Sequence, residues 1–330
     1  MSWSGGPKTR LEDVTFSTSS QGKSKAADIV SVQPLLREIF TGLSFGLFIG
    51  LILTGPIIYA LFRVHFMRKA YRAAAKDPFK ELPLRPAGES LRVKIDELAD
   101  EQQTYLFTHV FAAVGALIML LACPVQLRLW VIVGFLVAMI IDAFTGVPKI
   151  LRVTKQLWNA RLGYTGERAV AEELNQLLAC GYRVFHDLPF DNFNIDHVVV
   201  GPKGLFAVET KTRRKPVQDG KNPDYKVIFD GQFLHWPNAK EKKSVDQATL
   251  NARTLSEWIS SSAGEPVSAQ AIVAIPGWWV ENTAKSAPIW VLNPKGLKAF
   301  IEARSQLPLA PTQVQRIAHQ LTLRCRLKND

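Results

Sequence analysis

The sequence predicts an α/β domain with a mixed central sheet flanked by helices, preceded by an α-helical transmembrane region. Ile39–Phe62 is an uncharged run of 24 residues, longer than the roughly 20 that a helix needs to cross the hydrocarbon core of a bilayer. A second apolar block extends from Tyr105 to Val147. From about Ala160 onward, amphipathic helical patterns alternate with short β-branched and aromatic runs, as in domains that pack helices against a sheet.

The segment before the first apolar run is polar. Residues 1–38 are rich in Ser, Gly and Lys and have no apolar core after a basic cluster, so we expect a disordered tail and no signal peptide. The three cysteines, Cys123, Cys180 and Cys325, lie far apart without CxxC spacing. That spacing excludes a local zinc knuckle, gives no sign of a disulfide framework, and fits a reducing compartment.

The second apolar block is too long for one membrane span. It is interrupted at 123–128 by "CPVQLR", so we predict two spans, at about 105–122 and 129–147, after a first span at 39–62. Asp142 lies near the end of the last span. An acid there is interpreted as solvated at an interface, although a functional role is the alternative.

Positive charge predicts the topology. The loop 63–104 between the spans contains nine Lys or Arg residues between Arg63 and Lys94, and such residues close to span ends stay cytoplasmic. We therefore predict an integral protein of a bacterial inner membrane, with the N-terminus outside, a transmembrane region at 39–150 and a cytoplasmic domain at 151–330. The net charge of +11 indicates an anionic partner, and in this loop lipid headgroups are favoured over DNA.

The cytoplasmic domain contains helix and strand signals in a mixed order. "TGERAVAEELNQLLACGY" predicts a helix that begins after Gly166 and ends at Gly181. Asp230-Gly231 marks the tip of a hairpin in "YKVIFDGQFLHW". The other predicted strands are 183–190, 194–201, 204–212, 269–276 and 288–293. The other predicted helices are 244–260, 294–304 and 311–324.

Charged residues occur in strands whose other residues belong in a core. In "NIDHVVVGPKGLFAVETK", Glu209 and Lys211 are two apart and so project from the same strand face. A two-residue turn at Pro202-Lys203 would place Asp196 opposite Glu209, with Cβ atoms about 4.5–5.5 Å apart. Two such carboxylates repel each other unless one is protonated or a cation lies between them. Mg²⁺ or Mn²⁺ suits those oxygen ligands.

Two alternatives accompany this pairing. A three-residue turn with a bulge at Gly204 would place Asp196 opposite Thr210 instead, although the charge pattern favours the first register. Lys211 could also simply neutralise Glu209 in a polar face. His197 falls on the strand face opposite Asp196 and is expected to be a packed or hydrogen-bonded core residue.

The same residue types predict a mechanism. A metal ion would polarise a phosphodiester oxygen and activate water, while Lys211 orients that water and steadies developing charge. Glu167 could add a carboxylate from the preceding helix. The runs 211–215 ("KTRRK") and 240–243 ("KEKK") are candidate phosphate contacts, although such runs are usually solvated. Trp278-Trp279 could stack bases, but packing in the core or at an interface is favoured.

These residues resemble a known family. Glu167, "NIDHVVV" with Asp196, and "VETK" with Glu209 and Lys211 look like the PD-(D/E)xK nuclease superfamily. More narrowly, "GERAVAEELNQLL", "IDHVVVGPKGLFAVETK" and "DQATLNARTL" are similar to the nuclease-related domain (NERD), over roughly residues 160–275.

The resemblance carries expectations for fold and site. It implies a restriction-endonuclease-like mixed sheet, with metal ligation by Asp196, Glu209 and the carbonyl of Thr210. It also implies a catalytic Lys211. Glu167 and Gln247 are expected to support the site. Gln247 corresponds to a Gln that lies on the next helix in members of that family.

Two functional hypotheses follow. The first is a membrane-anchored, divalent-metal-dependent nuclease that hydrolyses phosphodiester bonds of DNA, or less readily RNA, at the cytoplasmic face. The second is a non-catalytic membrane protein whose nuclease-like domain binds nucleic acid or a protein. An intact Glu209-x-Lys211 motif favours the first hypothesis.

Overall fold

The computed structural model describes residues 82–216, 225–284, 286–303 and 307–326, with scattered positions between 33 and 70. Most of the predicted tail, most of the predicted first span and residues 71–81 of the basic loop lie outside the described residues. The chain divides into two compact units. One comprises Met1–Ala75 with Thr108–Phe144, and the other comprises Lys76–Phe107 with Thr145–Asp330.

Two long helices open the well-described part of the chain. Helix α1 spans Glu89–Ala122 and helix α2 spans Arg128–Asn175. They are separated where Pro124, which cannot continue a helix, precedes a short 3-10 turn at Val125–Leu127. By length and composition, the stretches Glu89–Ala122 and Val125–Cys180 could each cross a membrane, since each contains an 18-residue window with a mean hydropathy of 2.1 and 2.2, respectively.

The predicted start of a helix after Gly166 is wrong. Helix α2 runs through Gly166 without interruption. The hydroxyl of Thr165 donates to the carbonyl of Arg161, one turn earlier, rather than capping a new helix, which is how a Thr within a helix commonly bonds. The predicted end is confirmed, because Gly181 adopts a left-handed conformation with φ of 84° after a short 3-10 segment.

The acid in the apolar part of α2 has a partner. Oδ1 of Asp142 lies 2.7 Å from Nε2 of His109, and the Asp142 side chain is 40% exposed. The interpretation of Asp142 as a purely solvated carboxylate is therefore incomplete.

Nine strands in the described part of the chain form two sheets. Their bounds are β1 Arg183–Pro189, β2 Asn194–Gly201, β3 Gly204–Thr210, β4 Lys226–Phe229, β5 Leu234–Trp236, β6 Ala239–Glu241, β7 Ala269–Ala274, β8 Trp279–Asn282 and β9 Ile289–Leu292. The main sheet has the order β1-β2-β3-β7-β9. Its first three strands are antiparallel, and β7 and β9 run parallel to β3.

The second sheet, of order β6-β5-β4-β8, is absent from the sequence prediction of one central sheet. The predicted hairpin is confirmed as β4 and β5, and Oδ1 of Asp230 accepts from the backbone N–H groups of Gln232 and Phe233 in its loop. Strands β6 and β8 have three and four residues, which is too short for a period of two to be recognised.

Helices cover both faces of the main sheet. Helices α3, Lys243–Ala263, and α5, Pro311–Arg324, contribute to one buried cluster. The C-terminal part of α2 and helix α4, Leu297–Ala303, contribute to the other. The expected mixed sheet flanked by helices is therefore confirmed. The predicted helix 294–304 begins as a 3-10 turn at Pro294–Gly296.

The β2–β3 register agrees with the two-residue turn. Gly201 pairs with Gly204, and His197 pairs with Val208. Asp196 and Glu209 occupy the next step of the same register. The alternative with a bulge, which placed Asp196 opposite Thr210, is wrong. Gly204 has a φ of 132°, a conformation that favours glycine.

Candidate active site

Helix α2 brings Glu167 to the end of β3 through a close approach at Gly166. A Cβ added to Gly166 would lie 1.8 Å from Oγ1 of Thr212, so only glycine fits at this contact. The next residue, Glu167, is 7% exposed. Its Oε2 is buried without a hydrogen-bond partner among the described residues, which is costly for a carboxylate unless a ligand or proton satisfies it.

Two further carboxylates come from the β2–β3 pair. Oδ2 of Asp196, in β2, accepts a hydrogen bond of 2.7 Å from the backbone N–H of Thr210. Glu209, in β3, is 7% exposed. Its Oε2 accepts a hydrogen bond of 2.9 Å from Nδ2 of Asn251 in α3. Two strands and two helices therefore position the three acids.

Burial and neighbouring carboxylates, Asp187 among them, raise the proton affinity of all three acids. Burial, then the charge of Asp196, raises the pKa of Glu167 to about 9. Burial raises the pKa of Asp196 to about 7, against the opposing hydrogen bond from the N–H of Thr210. Burial and the charges of Asp196 and Glu167 raise the pKa of Glu209 well above its ordinary value, while Lys211 opposes the shift. Such a cluster favours a proton or a cation among its oxygens.

Lys211 pairs with a residue that the sequence did not suggest. Its Nζ lies 3.1 Å from Oε1 of Glu241, at the end of the second sheet. The same oxygen accepts hydrogen bonds from the backbone N–H and the hydroxyl of Ser244. Burial would raise the pKa of Glu241, but Ser244 and Lys211 outweigh it and lower the pKa. The ion pair of Lys211 is thus with Glu241, and its effect on Glu209 is through space.

His197 lies in the core, as expected. It is fully buried. Its Nδ1 lies 2.9 Å from Nδ1 of His186, and its Nε2 lies 3.1 Å from Oγ1 of Thr210. Burial, then the neighbouring His186, lowers the pKa of His197 well below its ordinary value, so the neutral imidazole is favoured.

A comparison with protein families covers this part of the chain. Residues 162–276 match the family model of the nuclease-related domain. This part of the chain is therefore similar to a nuclease-related domain. The resemblance over about 160–275 is confirmed, and the match includes the three carboxylates and Lys211. No curated protein and no solved structure matches the chain.

Within the nuclease-related domain, α3 offers two amides. Gln247 is half-buried, and the described hydrogen bond to Glu209 comes from Asn251, one helical turn later on the same face. Gln247 is a site residue predicted from the sequence, whereas Asn251 and Glu241 were not predicted. The spacing of four within "DQATLNA" was the available signal for Asn251, whereas nothing in the sequence indicated that Glu241 folds back onto Lys211.

A fourth acid of the domain, Asp187, is fully engaged. It is 1% exposed, with a φ of 49° that is uncommon outside glycine. It accepts from the guanidinium of Arg85, from the N–H and hydroxyl of Ser90, and from Nδ2 of Asn194. Asp187 therefore anchors the segment before α1 to the nuclease-related domain and leaves Glu167, Asp196 and Glu209 as the acids available to a ligand.

The donor set suits a hard divalent cation, although its side chains are not preassembled around one. Among the described residues no group of three or more His, Cys, Asp or Glu side chains has a metal-holding arrangement. The available donors are carboxylate oxygens, one of them the unpartnered Oε2 of Glu167. Carboxylate oxygens are the ligands that Mg²⁺ and Mn²⁺ prefer, so the chemistry fits.

Proposed function

We propose that this chain is a membrane-anchored, divalent-metal-dependent nuclease that hydrolyses phosphodiester bonds of DNA at the cytoplasmic face. The observation that carries the proposal is the convergence of Glu167, Asp196 and Glu209, each with a raised pKa, beside Lys211. Two buried acids and a half-buried one, placed close together, are unfavourable for stability, and binding of a cation and a phosphate would account for their presence.

Each residue has a role in this proposal. Asp196, Glu209 and the carbonyl of Thr210 would hold Mg²⁺ or Mn²⁺, with Glu167 as an added carboxylate. When bound, the cation polarises a phosphodiester oxygen and lowers the pKa of water. The ammonium of Lys211 orients the attacking water and steadies the charge that develops on the phosphate.

Neighbouring side chains keep these groups in place. Glu241 holds the ammonium of Lys211 at 3.1 Å, and Asn251 holds one oxygen of Glu209. Gln247, on the same face of α3, supports the site from the neighbouring turn. The fixed positions reduce the reorganisation that the reaction requires.

The membrane anchor is part of the proposal. The most apolar 18-residue window of α1 and that of the stretch Val125–Cys180 have no buried residues, so their side chains are available to lipid. The basic loop 63–104 would face anionic headgroups of the cytoplasmic leaflet. Tethering in this way would confine the nuclease to DNA near the membrane.

Cleavage by the purified full chain in detergent tests the nuclease. Single-stranded and duplex DNA are incubated with Mg²⁺ and with wild type, Asp196→Ala or Lys211→Ala. Matched controls are Asp191→Ala and Lys295→Ala, which remove exposed residues of the same types. We expect wild type and both controls to cleave, with activity lost in both site variants. Cleavage that persists in both site variants would come from a contaminant, and inactivity of every protein would favour the non-catalytic binding role.

A reporter fused after Asp330 tests the topology. The proposal requires a signal typical of the cytoplasm. A signal typical of the outer side would overturn the three-span arrangement and leave the nuclease proposal standing.

A further inference from the structure

Two adjacent tryptophans have opposite environments. Trp278 is 2% exposed and donates from Nε1 to the carbonyl of Arg213. Trp279, the first residue of β8, is 72% exposed. Core packing is confirmed for Trp278. Trp279 lies outside the core, and its interface packing stays a prediction. The exposed ring of Trp279 is available to contact a ligand or a partner.

Trp279 adjoins a second partly exposed aromatic residue. Its backbone N–H donates to the carbonyl of Tyr225 over 2.8 Å, and Tyr225 is 40% exposed. Lys226 is the register partner of Trp279 in the β4–β8 pair. Two rings therefore lie at this end of the second sheet, and the ammonium of Lys226 is paired with Glu281.

A basic strip, Arg213, Arg214 and Lys215, joins this position to the candidate active site. It begins two residues after Lys211 in the chain. The guanidinium of Arg213 lies 5.2 Å from the ring centroid of Trp236 and donates to Oδ1 of Asn238. These contacts attach the strip to the second sheet. The strip is therefore held in position by the fold.

The strip ends beside the exposed aromatic rings. Nζ of Lys215 lies 3.6 Å from the ring centroid of Tyr225. Arg214 and Lys215 are exposed, and a cation over an aromatic face keeps its charge available to a phosphate. The strip itself contains three positive residues and no acid.

We propose that the basic strip, Tyr225 and Trp279 bind an unpaired DNA strand that leads to the carboxylate site. The inference rests on the proposed nuclease function and names its substrate as DNA with a single-stranded segment. Proteins that bind single strands combine cations that follow the backbone with aromatic rings on which bases stack. A duplex contacts the cations but keeps its bases inside, so the exposed ring of Trp279 indicates the unpaired strand.

Equilibrium binding of labelled oligonucleotides tests this surface without cleavage. Fluorescence anisotropy is measured with the full chain in detergent and EDTA, using a single strand and the duplex of the same sequence. Trp279→Ala should weaken single-strand binding by roughly five- to a hundred-fold, the effect of losing one stacked base, and Trp279→Phe should restore most of it. Trp158→Ala removes another exposed tryptophan, on α2, and should bind like wild type.

Salt dependence tests the strip separately. Arg214→Ala should reduce the slope of log affinity against log salt by about 0.7 for a single strand, the value for one lost phosphate contact. Unchanged single-strand affinity in Trp279→Ala, or tighter binding of duplex than of single strand by wild type, would overturn the proposal. The binding assay contains EDTA and therefore does not depend on turnover. If single-strand binding requires Trp279 but no cleavage occurs in the assay with Mg²⁺, only the nuclease function is refuted. Cleavage with Trp279-independent binding would refute this surface alone.

Discussion

Asn251 donates from Nδ2 to Oε2 of Glu209 over 2.9 Å, joining helix α3 to strand β3 at a buried position. Asn251 is 2% exposed and Glu209 is 7% exposed. A hydrogen bond in such surroundings is strong, and a buried polar group left without its partner is correspondingly costly. The position of Glu209 therefore depends on α3 as well as on its own strand.

Removing this amide should destabilise the domain more than removing the neighbouring one. Asn251→Ala should lower the free energy of unfolding by about 1–3 kcal/mol, because it leaves a buried acceptor unsatisfied. Gln247→Ala, at a half-buried position one turn earlier, should change it much less. Denaturant unfolding followed by circular dichroism measures both. Equal losses in the two variants would show that the contact of Asn251 contributes little.

Helix α2 should tolerate no side chain at the contact with Thr212. Gly166→Ala places a Cβ 1.8 Å from Oγ1 of Thr212, so the helix must shift, at a cost of about 1–3 kcal/mol. That shift should also displace Glu167 and reduce cleavage. Gly163→Ala is the matched control, since its Cβ meets only the flexible end of the Leu91 side chain at 3.0 Å. Wild-type stability of Gly166→Ala would contradict the described approach of the helix.

The segment before α1 should depend on the ion pair between Arg85 and Asp187. Their side chains are 19% and 2% exposed, and Arg85→Ala leaves a buried charge without its main partner, at a cost of about 3–5 kcal/mol. Thermal unfolding and limited proteolysis near Arg85 report the loss. Arg253→Ala, which removes an arginine that is 75% exposed and paired with the exposed Glu257, should have a much smaller effect. Faster proteolysis near Arg85 in Arg253→Ala than in Arg85→Ala would refute the anchor.

Stability should depend on pH and on divalent cation together. The folded state raises the pKa of Glu167 from 4.5 to about 9 and that of Asp196 from 3.8 to about 7. Between each pair of values the folded state binds more protons than the unfolded state, so without cation the stability falls as pH rises. Mg²⁺ binds the ionised carboxylates, and its stabilisation should therefore grow with pH.

The melting temperature across this pH window, with and without Mg²⁺, measures both effects. Glu167→Gln should flatten the pH dependence because it removes an acid whose pKa is raised to about 9. A melting temperature of the wild type that rises with pH in the absence of cation would contradict the described burial of these acids.

The local pattern predicted most of the main sheet and its register. Strand signals at β1, β2, β3, β7 and β9, the helix at 311–324 and the pairing of Gly201 with Gly204 follow from short-range chemistry. Turn residues and hydrophobic periodicity involve only a few neighbouring residues. They can therefore be recognised without knowing which distant segments the strand or helix contacts. The division into tail, transmembrane region and cytoplasmic domain remains a prediction, as do the ligand roles of Asp196, Glu209 and Thr210.

Contacts between distant segments required the tertiary structure. Glu241 pairs with Lys211 across 30 positions, and Asn251 reaches Glu209 across 42. The second sheet and the exposure of Trp279 likewise depend on which short strands meet. Pairing over such separations is decided by the burial of the whole core, not by the residues at either end. The motif in β2 and β3 thus identified the acids, and only folding revealed what holds them.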